Sequence, residues 1–233
     1  MTTTAVIAGV GPGLGASLAH RFADEGCQVA LFARTESTIA DLAADIRADG
    51  GEALAVPTDL ADPAQIREGF ATVRDEFGAV DVLVNHASAA SWDGLTEADP
   101  EDFQRALDVG PTAALHCSQE AVADMRETGG GTVIFTGATT SVRGREGAVG
   151  FSAAKFACRG MAESMARELG PEGIHVAHVV LDGQILPESG PGDRDTEAFL
   201  DPDAIAESYW HLIEQDRAAW TLELDLRPHV EEF

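Results

Sequence analysis

Short apolar segments alternate with longer amphipathic segments along the whole chain. The apolar runs predict strands at residues 5–8, 28–33, 53–56, 80–84, 132–135, 174–181 and 220–226. Between them, apolar residues recur at helical spacing, which predicts helices at 36–48, 62–77, about 100–126 and 202–215, with others after strands one and five. Strict alternation of short buried strands with helices is typical of a doubly wound parallel sheet. The sequence therefore predicts one α/β domain over residues 1–233, of the Rossmann type, with about seven strands.

Composition agrees with a compact domain. Hydrophobic residues make up 45% of the 233 positions, and this length favours a single domain with a substantial core. No apolar run reaches the roughly 18 residues that a membrane span needs. The first residues do not read as a signal peptide. The three cysteines, Cys27, Cys117 and Cys158, match no metal spacing and no disulfide framework, so reduced thiols in a cytoplasmic protein are expected.

The charge is strongly negative. The chain has forty Asp and Glu residues and fifteen Lys and Arg residues, which gives a formal net charge of −25. Nucleic acids and anionic membranes are excluded as partners, because binding phosphates requires a basic surface. The acidic residues are spread along the chain and only one lysine remains, which favours a halophilic protein whose self-repulsion is screened by salt. An ordinary acidic bacterial protein is the alternative.

A glycine-rich turn follows the first predicted strand. Gly9, Gly13 and Gly15 fit the spacing G-x-x-x-G-x-G, and glycines there let the backbone approach a pyrophosphate at the next helix N-terminus. The second strand ends at Arg34 and Thr35, where a site for NAD usually has an acidic residue. An arginine suits a 2′-phosphate, so NADP(H) is preferred over NAD(H). A structural turn and a surface arginine without a ligand are the alternatives.

The chain resembles the short-chain dehydrogenase/reductase family over nearly its whole length. The resemblance is carried by the glycine turn, Thr58-Asp59-Leu60, Asn85-His86-Ala87-Ser88, Ser152-Ala153-Ala154-Lys155, and the run from Arg167 to Pro171 with Ile174-His175-Val176. It implies an α/β fold, an oxidoreductase activity and a homodimer or homotetramer. It also implies a cofactor site at Gly9, Gly13, Leu14, Gly15, Arg34, Thr35, Asp59, Leu60, Asn85, Ala87, Lys155, Gly183 and Ile185.

The family's catalytic tetrad of Asn, Ser, Tyr and Lys is mostly replaced. The tyrosine position is Phe151, the serine position is Ala138, and the asparagine position is Gly110, although Asp108 lies only two residues away. Lys155 alone is retained, and it is the one lysine of the chain. Phe151 has no proton to give and Ala138 offers no hydrogen bond, so standard tyrosine-dependent carbonyl reduction is not expected.

Other positions bear on how the site would work without these hydroxyls. His86 is a candidate substitute proton donor, and a packing histidine is its alternative. The single tyrosine, Tyr209, falls on a late helix with no evident connection to the site. Asp182 replaces a proline that the family commonly has, which predicts weaker binding of the nicotinamide end of the cofactor. The segment from Pro187 to Leu200 is polar and rich in Pro, Gly and Asp, which predicts a mobile loop. It lies in a region near residues 186–215 that corresponds to the family's substrate lid. His175 and His178 lie three apart and are not expected to bind a metal, and none is predicted elsewhere.

Two functions remain open at this point. The first is an NADP(H)-dependent oxidoreductase that reduces an activated double bond by a route independent of tyrosine; some dienoyl-CoA reductases of the family also lack that tyrosine. The second is a catalytically inactive homologue, a possible pseudoenzyme, that serves as a nucleotide-binding sensor or as a structural subunit. Both predict cofactor binding.

Overall fold

A parallel sheet forms the centre of the molecule. The computed structural model describes residues 2–89 and 91–231. Its strands are β1 (Thr4–Ala8), β2 (Gln28–Ala33), β3 (Glu52–Pro57), β4 (Val82–Asn85), β5 (Gly131–Thr136), β6 (Ile174–Leu181), β7 (Gln184–Ile185), β8 (Phe199–Leu200) and β9 (Glu223–Leu226). Seven of them pair in the order β3-β2-β1-β4-β5-β6-β9, all parallel, while β7 and β8 form a separate two-residue pair. The predicted seven-stranded Rossmann-type sheet is confirmed.

Seven α-helices connect the strands within the described residues. They are α1 (Leu14–Asp24), α2 (Glu36–Ala48), α3 (Pro63–Phe77), α4 (Pro100–Leu107), α5 (Ala113–Thr128), α6 (Val149–Leu169) and α7 (Pro202–Ile213). Asp62, Asp99 and Asp201 cap three of them through their side chains, each followed by a proline in the first turn. Each aspartate accepts a hydrogen bond from a main-chain N–H that has no partner within the helix. The proline beside it has no N–H, so none is left unpaired at that position. None of the helices in residues 2–89 and 91–231 is long and apolar enough to cross a membrane.

Alternate residues of each strand pack on opposite faces of the sheet. Ala5 and Ile7 of β1 join a core with α1, α2 and α7, whereas Val6 and Ala8 join a core with α3, α5 and α6. This is the consequence of the two-residue period of a strand between two helical layers. Burial on both faces explains why the strands read as continuous apolar runs.

The structure corrects two predicted strand starts and one predicted helix. Strand β4 begins at Val82 rather than residue 80, and β9 begins at Glu223 rather than residue 220. The predicted helix over residues 100–126 is broken at Asp108–Thr112, a single π-helical turn containing Pro111. Proline lacks the N–H that an α-helix would use there, so the ladder changes register around it.

All strand carboxyl ends lie on one edge of the sheet, and the strand order reverses between β1 and β4. A crevice at such a reversal is the usual ligand site of this architecture. Gly9 follows β1, Arg34 follows β2, Thr58 follows β3 and His86 follows β4. The topology therefore brings the predicted cofactor residues to one place.

Candidate functional site

A cavity of about 350 Å³ opens at the carboxyl ends of β1, β2, β3 and β4. Its walls include most of the residues predicted to bind the cofactor, namely Gly9, Gly15, Arg34, Thr35, Asp59, Leu60 and Ala87, together with His86. Leu14 is buried in the core, so its side chain does not reach the cavity. Five further predicted cofactor residues are not among the lining residues either, namely Gly13, Asn85, Lys155, Gly183 and Ile185.

The glycine turn has two distinct structural reasons for its glycines. Gly9 has a φ of 107°, and an added Cβ would lie 2.5 Å from the Cα of Ala87, so this glycine lets two loops touch. Gly13 has a φ of 89° and open space around it. It precedes α1, whose N-terminus has no side-chain cap and no acidic residue in its first turn. The free N–H groups and the helix dipole suit a phosphate at this end of the cavity.

Arg34 lies exposed in the cavity wall, at the end of β2. No carboxylate in the described part of the chain lies within 4.0 Å of its guanidinium. Asp59 shares this wall, but its carboxylate accepts the Ala61 N–H at 3.0 Å in a local turn. An arginine without a carboxylate partner is available for a phosphate, for which its planar fork is well suited.

Lys155 is buried in α6, with 5% of its surface exposed. Its ammonium donates a hydrogen bond of 2.8 Å to the main-chain oxygen of Thr136 and lies 5.6 Å from the centre of the Phe151 ring. Within residues 2–89 and 91–231, no carboxylate lies within 4.0 Å of it. Burial lowers the pKa of Lys155. The site thus holds a desolvated ammonium with one strong acceptor, which leaves donors for a ligand.

Phe151 and Ala138 are the residues predicted at the tyrosine and serine positions of the tetrad, and the Phe151 ring lies beside this lysine. Phe151 lies one helical turn before it, and the Phe151 ring centroid is 4.7 Å from that of Trp92, itself 55% exposed. Ala138 follows Gly137 after β5, and its N–H bonds the Ser141 hydroxyl at 3.0 Å. Neither position supplies a proton to the site.

Gly110 lies in the π-helical turn, where an added Cβ would lie 3.4 Å from the Cβ of Ala154. It therefore faces α6 one residue before Lys155. Asp108, the alternative for the asparagine position, accepts a hydrogen bond from Gln104 at 2.8 Å and lines a separate surface pocket with Arg34. Gly110 therefore stays the predicted counterpart of the asparagine, and Asp108 lies in a different pocket.

Asn85 lies behind the main cavity rather than in its wall. Its amide donates to the Ser118 hydroxyl at 3.1 Å, and its Oδ1 is buried without a partner in the described structure. A small void there is lined by Asn85, Gly110, Cys117, Thr136 and Cys158, among others. An unpaired buried oxygen beside a void suits one ordered water.

His86 differs from the expectation of an acidic proton donor. Its Nδ1 lies 3.1 Å from the Thr136 hydroxyl. Desolvation, with a smaller contribution from the charge of Lys155, lowers the pKa of His86 to about 4. The ring is therefore neutral at neutral pH, and it can offer an N–H or a lone pair but no excess proton.

Tyr209 is the residue that sequence reasoning missed. Its side chain crosses from α7 into the core, fully buried, and its hydroxyl lies 2.9 Å from the same Thr136 hydroxyl. Burial raises the pKa of Tyr209 above its ordinary value. Its being the single tyrosine was a signal, but the docking of α7 on the sheet depends on long-range packing that no local pattern predicts.

Asp182 ties together three segments at the far edge of the site. Its buried carboxylate accepts the Thr139 hydroxyl at 2.7 Å and Arg143 at 3.0 Å, and it lies 3.2 Å from Arg227. These contacts join the loop after β5 to the chain after β9. The departure from proline therefore has a structural role, and Gly183 beside it has a φ of 155° with Pro228 against it.

The two histidines of β6 do not form a metal pair. The ring nitrogens of His175 lie 3.1 Å and 2.8 Å from the main-chain oxygens of Leu212 and Thr221, and the ring stacks on Trp220, whereas His178 pairs with Glu223 at 3.1 Å. No group of three His, Cys, Asp or Glu side chains in the described residues could hold a metal ion.

Comparison with known proteins agrees with this geometry. The family model of the short chain dehydrogenases matches residues 3–185. A 3alpha-hydroxysteroid dehydrogenase of Mediterraneibacter gnavus is 34% identical over 179 residues, which are 74% of this chain and 70% of that protein.

Solved structures extend the likeness to the whole fold. A short-chain dehydrogenase from Rhodopseudomonas palustris is 31% identical with a TM-score of 0.86, covering 97% of this chain and 99% of its own. The alcohol dehydrogenase of the archaeon Thermococcus sibiricus, in complex with 5-hydroxy-NADP, is 24% identical with a TM-score of 0.90, covering 100% and 99%. The chain therefore belongs to the short-chain dehydrogenase family.

Proposed function

We propose that this protein is an NADP(H)-dependent oxidoreductase that reduces an activated double bond without a catalytic tyrosine. The observation that carries the proposal is the pairing of a buried, carboxylate-free Lys155 with two hydroxyl-free positions, Ala138 and Phe151. A buried ammonium is costly and is retained where a ligand needs it. The missing hydroxyls argue against protonation of an alkoxide at this place.

The residues at the cavity fit a nicotinamide dinucleotide. The uncapped N-terminus of α1 would take the pyrophosphate, Arg34 the 2′-phosphate, and Lys155 the nicotinamide ribose. The alcohol dehydrogenase of similar fold binds its 5-hydroxy-NADP, which supports a nucleotide here. When bound, the reduced cofactor supplies a hydride.

The chain's own groups would stabilise charge rather than move protons. In a conjugated carbonyl compound, adding hydride at the far carbon leaves negative charge on the oxygen, which an ammonium and an N–H donor can stabilise. The proton then enters at carbon and can come from water. Lys155 and the neutral His86 suit this role, since neither hydroxyl of the usual tetrad is required.

A non-catalytic nucleotide-binding protein is the second candidate. The ring of Phe151 packs on Trp92, and the guanidinium of Arg145 lies 5.8 Å from the Trp92 ring centre. Such a stack beside the position of the missing tyrosine can fill space that a substrate would need. Binding without turnover would then be the function.

The test is a comparison of binding and turnover in molar salt. NADPH binding is measured by fluorescence, and hydride transfer is followed with ketones and with enoyl thioesters. Turnover of an enoyl thioester but not of ketones is expected. Tight NADPH binding with no turnover on either class would select the non-catalytic function, and absence of binding would refute both.

A double variant tests whether the scaffold is otherwise competent. Phe151→Tyr with Ala138→Ser restores both hydroxyls beside Lys155 and is expected to create ketone reduction. Phe156→Tyr, on the exposed face of the same helix, is the matched control and should create none. Failure of the double variant to reduce ketones, with NADPH binding intact, would mean that the missing asparagine at Gly110 or an obstructed pocket prevents the reaction.

We also propose that the chain forms a homodimer or homotetramer through α5 and α6. Leu115 and Phe156 are 44% and 43% exposed on these helices, which pack on the same core, and exposed apolar side chains on one helical layer suit an interface. Phe156→Glu is expected to reduce the mass measured by light scattering in molar salt, and an unchanged mass would contradict this interface.

A further inference from the structure

Three side chains from three elements form one hydrogen-bonded line that ends in the wall of the cavity. Tyr209 from α7 lies 2.9 Å from the hydroxyl of Thr136 at the end of β5, and that hydroxyl lies 3.1 Å from Nδ1 of His86 after β4. His86 is a lining residue of the cavity. The main-chain oxygen of Thr136 also accepts a hydrogen bond from the ammonium of Lys155. Side chains from the helices on both sides of the sheet therefore hold Thr136 in place.

The number of protons in this line determines which group donates each hydrogen bond. Tyr209 and Thr136 each carry one hydroxyl proton, and the neutral imidazole of His86 carries one. Among residues 2–89 and 91–231, the Tyr209 hydroxyl has no hydrogen-bond partner other than Thr136, and the Thr136 hydroxyl has none other than Tyr209 and His86. Tyr209 is fully buried, so a proton without an acceptor there costs free energy.

One arrangement pairs every buried proton. Tyr209 donates to Thr136, Thr136 donates to Nδ1 of His86, and the imidazole proton is on Nε2. If Nδ1 carried the proton instead, it would donate to the Thr136 oxygen, and either the Tyr209 or the Thr136 proton would have no acceptor. Histidine tautomers are set by such second partners of the ring.

We infer that Tyr209 and Thr136 are positioning residues that hold His86 as the Nε2–H tautomer, so that the cavity wall presents a fixed N–H donor to a carbonyl-type oxygen. The neighbouring charge of Lys155 supports this arrangement, because it disfavours a second proton on the ring. The ligand would be an amide or conjugated carbonyl oxygen beside His86 in the cavity. The tautomer itself is independent of the proposed function, whereas the ligand class rests on it.

The tautomer is measured by long-range ¹⁵N–¹H correlation spectra of the imidazole rings. The seven histidines are distinguished by removing the His86 signals with His86→Asn. Wild-type protein is expected to show a protonated Nε2 and a lone-pair Nδ1 in a single tautomer. A protonated Nδ1 in the wild type would overturn the inference.

Two isosteric variants test the positioning residues. Tyr209→Phe frees the Thr136 oxygen to accept from Nδ1, and Thr136→Val removes the donor altogether, so both are expected to give averaged chemical shifts of two tautomers. Ser208→Ala on α7 and Thr132→Val on β5 are the matched controls and should keep the single tautomer. Unchanged His86 chemical shifts in both test variants would refute the role of Tyr209 and Thr136.

NADP⁺ serves as the probe for the ligand. Its addition is expected to move the Nε2–H signal along with the amide signals of the glycine turn. Changes in the turn without a change at Nε2–H would refute the proposed acceptor, whereas no changes anywhere would refute the proposed function and leave the tautomer result intact.

Discussion

The free energy of unfolding should decrease at acid pH because the pKa of His86 is lowered in the folded protein. The pKa of His86 is lowered from 6.5 to about 4 by desolvation and by Lys155. A tenfold change in a proton-binding constant corresponds to about 1.4 kcal/mol of free energy between the two protonation states. Below pH 6.5 the unfolded chain binds a proton at this residue that the folded chain does not bind, so the stability of the fold decreases as the pH falls.

The size of the effect follows from the two pKa values. Above pH 6.5 the free energy of unfolding contains the full contribution of the neutral ring. Between about pH 7 and about pH 4.5, roughly 2 kcal/mol of it is lost, with a limit of about 3 kcal/mol below pH 4. The residue is only partly buried, so these values are upper bounds.

The assay is urea unfolding of wild type and His86→Asn at constant molar salt over this pH range. His175 and His178 also have lowered pKa values, chiefly from burial, but their contributions cancel in the difference between the two proteins. The stability advantage of His86→Asn should grow as the pH falls, and His211→Asn on the exposed side of α7 should show no such trend. A flat or opposite difference curve for His86→Asn would refute the lowered pKa of His86.

Other substitutions test the cofactor site and its supports. Arg34→Glu should weaken NADPH binding by roughly 10- to 100-fold, the value of a charge-assisted hydrogen bond, with little effect on NADH, whereas Arg67→Glu on the surface should change neither; equal losses for both cofactors would contradict a 2′-phosphate contact. Gly9→Ala should cost about 3 kcal/mol or more in urea unfolding, since strain and a backbone clash add, while Gly13→Ala should cost only about 1–2 kcal/mol for its φ. Equal costs would mean that Ala87 moves away. Asp182→Asn should cost about 1–3 kcal/mol, and an unchanged stability would mean that its two arginines find other partners.

The sheet, the glycine turn and Lys155 were predictable because local patterns specify them. A strand buried on both faces is a continuous apolar run, and a turn that approaches a ligand needs glycine, as at Gly9 and Gly13. Lys155 was recognisable because it is the one lysine in a chain that otherwise uses arginine. Even the break of the long helix could have been inferred from Pro111, since proline interrupts the α-helical hydrogen-bond ladder.

The contacts of Tyr209 and Asp182 could not be predicted in the same way. Tyr209 is 73 residues from Thr136 along the chain, and Asp182 is 39 residues from Arg143. Which turn of α7 faces the end of β5 depends on how that helix packs on α1 and on the sheet. Such placements result from packing over the whole core rather than from any local periodicity.

The two kinds of substitution at this site point to one chemistry. Ala138 and Phe151 remove the groups that would give a proton to oxygen, while Lys155 keeps a positive charge and His86 keeps a neutral ring beside the cavity. A buried ammonium and a fixed N–H donor stabilise negative charge on an oxygen, whereas the hydroxyls that usually deliver a proton to that oxygen are absent at positions 138 and 151. Reduction of an isolated ketone needs that proton, whereas reduction of a conjugated double bond can take its proton at carbon from water. Under the proposed function we therefore expect ketones to fail as substrates, and an enoyl compound is the substrate to test first.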